Sequence, residues 1–361
     1  MKGENNIKKV YVGLSGGVDS SVSALLLKNA GYDVTGVFIK GWQPDWIPCT
    51  WKTDRISAMR TAAHLNIPFI TLDLEMQYKD KVVTYLLEEY KKGNTPNPDM
   101  LCNREIKFRS FLNWAIKNGA DYVATGHYAQ IVDGSMLESA DKQKDQSYFL
   151  SQLTSLQLQK TLFPIGHMQK SEVRKIAQEN NLPVATRKDS QGICFVGDLE
   201  MKDFLKRELN PAKGKVLNEL GVEIGVHEGA ILYTIGERHG FTILNNSDAQ
   251  KSLFVVSKDI EKNTITVSDK IESPRQEEGV NNILVIKSFS FTNSLEEIKI
   301  AKNLLIRIRY RGEKVAVKFK SSNINDSKNI LEVECIKNLE FAHGQFGVLY
   351  DGEICLGGGE L

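Results

Sequence analysis

The chain reads as an α/β protein in its first half and as small antiparallel β domains in its second. Three observations carry that reading. Short apolar runs at residues 10–14, 34–39, 69–72 and 122–125 alternate with runs of helical period, the pattern of a parallel sheet covered by helices on both faces. After about Leu205 the helical period gives way to short alternating runs with turn signals, at residues 230–235, 253–257 and 264–267. The 361 residues, 41% hydrophobic and 25% charged, suffice for two or three domains with large cores.

The first element organises the others. Val10, Val12 and Leu14 alternate with smaller residues and predict a buried strand. Ser15-Gly16-Gly17-Val18-Asp19-Ser20 follows, and then an apolar helical run over 22–27. A strand turning through glycines into a helix start aims several backbone N–H groups at one point, which favours an anion such as phosphate. Gly16 and Gly17 admit close approach, and Ser15, Ser20 and Ser21 offer hydroxyl donors. A Walker loop needs a lysine after its last glycine to reach the terminal phosphates, and none stands here.

The chain then continues in order. Gly31 caps the first helix, residues 34–39 form a second strand, and 55–65 form a helix with Ile56, Met59 and Ala63 at helical spacing. A third strand over 69–72 precedes a helix over 79–92, with Val82, Val83, Leu86 and Leu87 toward the core. A helix over 108–116, stopped at Gly119, leads to a fourth strand at 122–125. Ligands of such sheets sit beyond the C-terminal strand ends. The glycine–serine loop, the segment after Ile39 and Gly126-His127-Tyr128 are therefore expected at one rim.

Two loops carry thiols. In Asn97-Pro98-Asp99-Met100-Leu101-Cys102-Asn103, Pro96 and Pro98 argue against helix and for a stiff loop before one. Asp99 and Cys102, three apart, can face one cleft, where a helix start with Arg104 and Lys107 nearby favours a thiolate. The second is Asp189-Ser190-Gln191-Gly192-Ile193-Cys194-Phe195. Taken singly, each cysteine is more often a small buried hydrophobe than a nucleophile; their place in polar, glycine- or proline-marked loops weakens that reading.

In the second half, residues 299–320 hold eight Lys or Arg against the single acid Glu313. Alternation in Ile306-Arg307-Ile308-Arg309-Tyr310-Arg311 predicts three arginines on one strand face. A turn at Gly312 then leads to a returning strand with Lys314, Lys318 and Lys320 outward. Such a ridge is either an ordinary solvated face or a seat for a nucleic-acid backbone. Overall, 46 Lys and Arg against 45 Asp and Glu leave the chain near neutrality, so a polyanion must be held by a local patch. Residues 1–9 are polar, no apolar run reaches membrane-spanning length, and five scattered cysteines form no disulfide framework. The expectation is a cytoplasmic protein without membrane contact. The six histidines show no paired metal-ligand spacing, and no resident metal is expected.

Ser-Gly-Gly-Val-Asp-Ser resembles the PP-loop of ATP pyrophosphatases, which cut ATP between its α and β phosphates. With residues 95–108, 125–128, 144–150, 163–166, 189–195, 233–236 and Gly344-Gln345, the chain resembles the bacterial tRNA-specific 2-thiouridylases along nearly its whole length. The resemblance implies a parallel-sheet PP-loop domain of the adenine nucleotide alpha hydrolase type over residues 1–205, a small central β domain over 206–275 and a C-terminal, tRNA-contacting β-barrel over 276–361. It implies adenylation of the 2-oxygen of the wobble uridine, then replacement by sulfur with release of AMP. Cys194 matches the residue that receives a persulfide from a sulfur-carrier protein. Cys102 matches the thiol that releases sulfide and leaves a Cys102–Cys194 disulfide for a reductant to reset, though direct attack by the persulfide stays open. Asp99 matches the general acid/base, and Asn97, Pro98 and Asp99 match the contacts to the target base. Gly13, Leu14, Ser15, Gly16, Gly17, Val18, Asp19, Ser20, Ile39 and Gly126 match contacts to ATP, which brings Mg²⁺ with it. His127, Lys144, Asp145, Gln146, Arg309, Tyr310 and Gln345 match contacts to tRNA. A monomer is expected. Three departures stand out: Ile39 replaces the family's methionine, Glu237 its glutamine, and His343 the proline usual before Gly344-Gln345. The rival readings are an amidating PP-loop synthetase, which needs no redox cysteines, and an RNA-binding nucleotide sensor, which releases no AMP.

Overall fold

A computed structural model describes residues 7–47, 49, 51–188, 200–244, 252–269, 282–325, 328–337, 339, 341 and 343–361. The first sheet contains β1 (Lys9–Gly13), β2 (Asp33–Lys40), β3 (Phe69–Asp73) and β4 (Tyr122–Ala124). The hairpin β5 (Ala129–Val132)–β6 (Ser135–Glu138) follows β4, and β7 (Thr161–Leu162) completes the sheet in the order β3-β2-β1-β4-β7. Every pairing in it is parallel. Val10, Val12 and Leu14 face one buried cluster with the inner residues of helix α1 (Val18–Asn29). Val37 and Ile39 face a second cluster on the opposite side. The strand order reverses between β1 and β4, so a ligand cleft is expected beyond Gly13.

The predicted helices appear with altered boundaries. Helix α2 spans Trp51–His64. The run predicted over 79–92 starts earlier, as helix Glu75–Tyr78, passes through a π-helical stretch Lys79–Val83 and ends as Thr84–Lys91. The prolines at 96 and 98 do not keep helix out of the Asn97 loop, which corrects the sequence reading. Pro98 is the first residue of helix Pro98–Leu101, where its missing N–H costs no hydrogen bond. That helix runs on as a π-helix over Cys102–Phe111 and as an α-helix over Leu112–Lys117.

The second unit follows helix Met201–Leu209. It contains β8 (Gly214–Leu217), β9 (Glu223–His227), β10 (Phe241–Ile243), β11 (Phe254–Asp259) and β12 (Thr264–Ser268), ordered β10-β9-β8-β12-β11. It is not wholly antiparallel as expected: β8 and β12 pair in parallel.

The third unit contains β13 (Ile283–Phe291), β14 (Leu304–Arg307), β15 (Val315–Asn325), β16 (Lys328–Cys335), β17 (Phe346–Asp351) and β18 (Ile354–Glu360), ordered β13-β16-β15-β14-β17-β18. Pairing of β13 with β18 closes it into a barrel. The sheet does not stop at β18: Ile354 and Cys355 pair with Leu137 and Met136, so the hairpin of the first unit extends the barrel wall. One buried cluster runs through all three units, from Ile39, Met100 and Cys102 to Phe204, Val216 and Tyr233 and on to Val348 and Tyr350. An apolar junction of this kind holds domains in fixed relation. Among the described residues, no helix is long and apolar enough to cross a membrane.

Candidate active site

The glycine–serine loop lies where the sheet topology puts a ligand. Gly17 is the extended N-cap of α1 and carries no side-chain cap, so the first-turn amides face the cleft without an intrahelical acceptor. Gly16 has φ +82°, and a Cβ there would run into the Asp54 carbonyl. The strand-to-helix turn can therefore be made here only by glycine. Gly126, just past β4, packs so closely that a Cβ would lie 2.5 Å from the Ser20 amide nitrogen. Ile39 is buried at the end of β2. The three segments expected at one rim are thus together.

The serines have a different task from the one their hydroxyls implied. The Ser15 amide donates to Ser20 Oγ (3.2 Å), and Ser20 Oγ and Ser21 Oγ both donate to the Gly17 carbonyl (3.2 and 2.8 Å). Ser20 and Ser21 are buried. They brace the loop, and the first-turn amides of α1 are left to meet an anion. Asp19 accepts from Tyr128 Oη (2.9 Å) and from Lys170 Nζ, at 2.6 and 2.8 Å to its two oxygens. The Arg187 guanidinium donates to the Gly16 carbonyl (3.0 Å) and pairs with Asp54.

The Asn97 segment is held by both other units. The Thr95 amide donates to the His343 carbonyl (2.8 Å), and Thr95 Oγ1 lies 3.5 Å from Thr234 Oγ1 of the central unit. Asn97 caps the helix, its Oδ1 accepting from the amides of Asp99 (3.0 Å) and Met100 (3.2 Å). One oxygen of Asp99, Oδ1, is buried without a hydrogen-bond partner, as are Asn103 Oδ1 and Gln345 Oε1. Buried acceptors without a protein partner are uncommon in folded proteins. Cys102 is fully buried at the first position of the π-helix. Such wide turns recur at functional sites. Here Ser110 Oγ donates to the Glu105 carbonyl five residues back (2.8 Å). Cys194 and the rest of 189–195 lie outside the described residues, so the expectation that Cys102 and Cys194 share a cavity is untested.

His127 is buried between Phe108 and Phe163. Lys107 Nζ is 3.3 Å from its Nε2, and Thr125 Oγ1 is 2.7 Å from Nδ1. An ammonium only donates, so Nε2 is the acceptor and Nδ1–H donates to Thr125. Burial first, and the Lys107 charge second, hold this histidine well below its ordinary pKa. The unfolded chain takes up a proton near pH 6.5 that the folded protein refuses. Stability is therefore complete above about pH 6.5 and falls as the pH drops below it. Melting temperatures from pH 7.5 to 5.5 should fall in the parent protein and fall less steeply in His127→Gln. Equal slopes would remove His127 from the account.

The residues matched to tRNA contacts divide in two. Asp145 is buried, with its carboxylate accepting from the amides of Ser139 and Ser147 and from Ser147 Oγ. Burial raises its pKa. Gln146 brackets Tyr128 through the amides of both residues. Lys144 is half-buried and Arg309 exposed. Tyr310 packs on Phe149, ring centroids 4.4 Å apart, and Arg311 lies over Tyr310. A cavity of about 340 Å³ is lined by Lys142, Gln143, Asp145, Arg307, Tyr310 and Arg311.

The basic ridge forms only in part. Strand β14 ends at Arg307, and Arg311 has φ +59° in the turn that follows. The three arginines therefore do not share a strand face. Arg307 turns inward to Glu138 (3.2 Å) and Asp145 (3.5 Å), and Lys314 to Glu138 (2.8 Å). Lys318 and Lys320 do point outward from β15, with Val315 and Val317 buried. Lys107, read from the sequence as a neighbour of the Cys102 thiol, has its ammonium at His127; Lys170, Arg187 and Glu138 were missed, because their partners lie far along the chain and no local spacing announces them.

The parallel-sheet unit with the glycine–serine loop at its switch point is a HUP domain, and two β units follow it. The family profile described as the tRNA methyl transferase HUP domain matches residues 8–198. The tRNA methyl transferase PRC-barrel domain matches 202–269 and the aminomethyltransferase beta-barrel domain 281–361. Proteins named tRNA-specific 2-thiouridylase MnmA align along the whole chain. That of Lacticaseibacillus paracasei is 42% identical over 99% of this chain and 95% of its own. That of Streptococcus thermophilus is 44% identical over the same shares, and that of Staphylococcus epidermidis 43% over 98% and 95%. The chain belongs to the tRNA-specific 2-thiouridylase family.

Proposed function

We propose that the protein is an ATP-dependent tRNA sulfurtransferase that replaces the 2-oxygen of the wobble uridine by sulfur. The observation that carries this reading is the junction of two chemistries. One buried cluster joins Ile39, at the rim of the glycine–serine loop, to Met100, Leu101 and Cys102 on the helical run that Pro98 opens, with Asp99 in its first turn. A uridine carbonyl has no leaving group, so its oxygen must first be activated. The 2-oxygen attacks the α-phosphorus of ATP, the bond to the β-phosphate breaks and pyrophosphate departs. A sulfur nucleophile then adds at C2, the C2–O bond breaks and AMP leaves. Thiolates and persulfides suit that step near neutral pH.

The chain's own residues have these tasks. The first-turn amides of α1 bind the phosphates. Asp99, with one oxygen unpaired, moves the proton at the base. The persulfide on Cys194 is attacked by the Cys102 thiolate; a Cys102–Cys194 disulfide forms and hydrosulfide is freed for the base. An external reductant resets the pair, and a carrier protein reloads Cys194. Among the described residues no three His, Cys, Asp or Glu gather as a metal site. Asp19, at the head of the loop, fits an Mg²⁺ carried largely by nucleotide phosphates; the ion would offset their charge.

Purified protein, unmodified tRNA, ATP, Mg²⁺ and a persulfide donor should yield AMP and 2-thiouridine together. Persistent absence of both would end this reading. For RNA docking, Arg309→Ala should weaken tRNA binding at low salt and reduce the slope of log K against log salt by about 0.7–0.9, the loss of one phosphate contact. An unchanged slope would move the RNA surface away from this turn.

A further inference from the structure

The loop lacks the lysine that a Walker loop carries within its own sequence, since Val18 and Asp19 follow Gly17. The fold returns one from 151 residues beyond Asp19. Lys170 is the first residue of helix Lys170–Glu179, and its Nζ stands 2.6 and 2.8 Å from the two oxygens of Asp19, a first-turn residue of α1. We propose that Lys170 is the polyphosphate-binding lysine of this loop, holding the β and γ phosphates of ATP and stabilising pyrophosphate as it leaves. The proposal rests on the ATP chemistry argued above.

Placement supports a working cation more than a surface ion pair. The Lys170 side chain is only 12% exposed. Its backbone is pinned by a capping box between Gln169 and Glu172 and by donation of its amide to Asp141 Oδ2 (3.0 Å). Its ammonium therefore cannot wander as an exposed lysine does. Asp19 also has a second donor, Tyr128 Oη, so its carboxylate stays anchored if the ammonium turns elsewhere. Charge explains why both groups are present. A bare carboxylate beside the first turn of α1 would repel a polyphosphate, and Lys170 cancels it. Asp19 would hold a cation brought by the nucleotide, and the Lys170 ammonium beside it would then pair with phosphate oxygens instead. Charge-assisted bonds of this type are roughly twice as strong as neutral ones.

The test compares pyrophosphate with AMP, which lacks the β and γ phosphates. In Lys170→Met, affinity for pyrophosphate and for ATP should fall about 10- to 100-fold, the range of one charge-assisted hydrogen bond. AMP and tRNA affinities should stay within about twofold. Lys170→Arg should recover most of the loss. Undiminished pyrophosphate binding by Lys170→Met would overturn the proposal, as would equal losses of pyrophosphate and AMP with a lowered melting temperature, which would mark a merely structural pair. Should the variant not fold, the parent protein decides the matter: acetylation of Lys170 should be slowed by pyrophosphate and not by AMP, and equal rates would overturn it. A parent protein that binds neither ATP nor pyrophosphate would instead defeat the ATP reading itself.

Discussion

Cys102→Ser should yield a folded protein that binds tRNA and consumes ATP slowly, yet makes no 2-thiouridine from a persulfide donor. The change is nearly isosteric, and burying the hydroxyl of a serine at this fully enclosed position costs about 1–3 kcal/mol, within the margin of an ordinary domain. The chemical loss is far larger. A serine hydroxyl at neutral pH does not attack a persulfide, so hydrosulfide is not released and product formation should drop by about a thousandfold or more. Activation of the base does not need this sulfur. Water then returns the activated base to uridine, and AMP continues to appear without product. Free sulfide, which bypasses the missing step, should restore part of the product. Mass spectrometry of digested nucleosides, with AMP measured in parallel, reads both. Full activity with the persulfide donor would instead favour direct attack by the persulfide on the base.

Arg307→Ala should be the most destabilising single change in the charged networks, with little effect on the salt dependence of RNA binding. Its guanidinium joins Glu138 of the hairpin and Asp145 of the first unit to the barrel, and all three side chains are 15% exposed or less. Removing the cation leaves two enclosed carboxylates short of a partner, a loss of about 3–5 kcal/mol for a buried pair. Lys314 and Lys142 still reach Glu138, so the loss should fall mainly on Asp145. Calorimetry should show a clearly lowered transition. A melting temperature within about a degree of the parent, together with weakened tRNA binding, would return Arg307 to the RNA surface.

These two residues also show what the sequence displays and what it hides. The strands of the first sheet are legible because each is a short apolar run bounded by glycine or proline. The glycine–serine loop is legible because its residue types and its place between strand and helix agree. Arg307 was misassigned because alternation reports only which side of a strand a residue takes. It does not say that the strand ends there, nor that Glu138 waits 169 residues earlier in the chain. Pro98 was misassigned because proline is excluded from helix interiors yet welcome at the first position, and the two cases look alike until Asn97 is seen as the cap. The parallel pairing of β8 with β12 and the π-turns of Cys102–Phe111 leave no periodic trace. The pairing of the Lys170 ammonium with Asp19 depends on helix Lys170–Glu179 packing against α1, which is a property of the assembled fold.

The hairpin that continues the barrel wall has a mechanical consequence. It springs from Tyr128, whose hydroxyl grips Asp19, and its far strand is laced to Ile354 and Cys355. Swivelling the barrel away from the catalytic cleft would mean tearing a β ladder. Barrel and cleft therefore behave as one casting, and an RNA arm placed against the barrel would meet the glycine–serine loop at a preset span. Distances between spin labels at Lys318 and Lys28 should stay constant when tRNA is added, as in a fixed-jaw gauge.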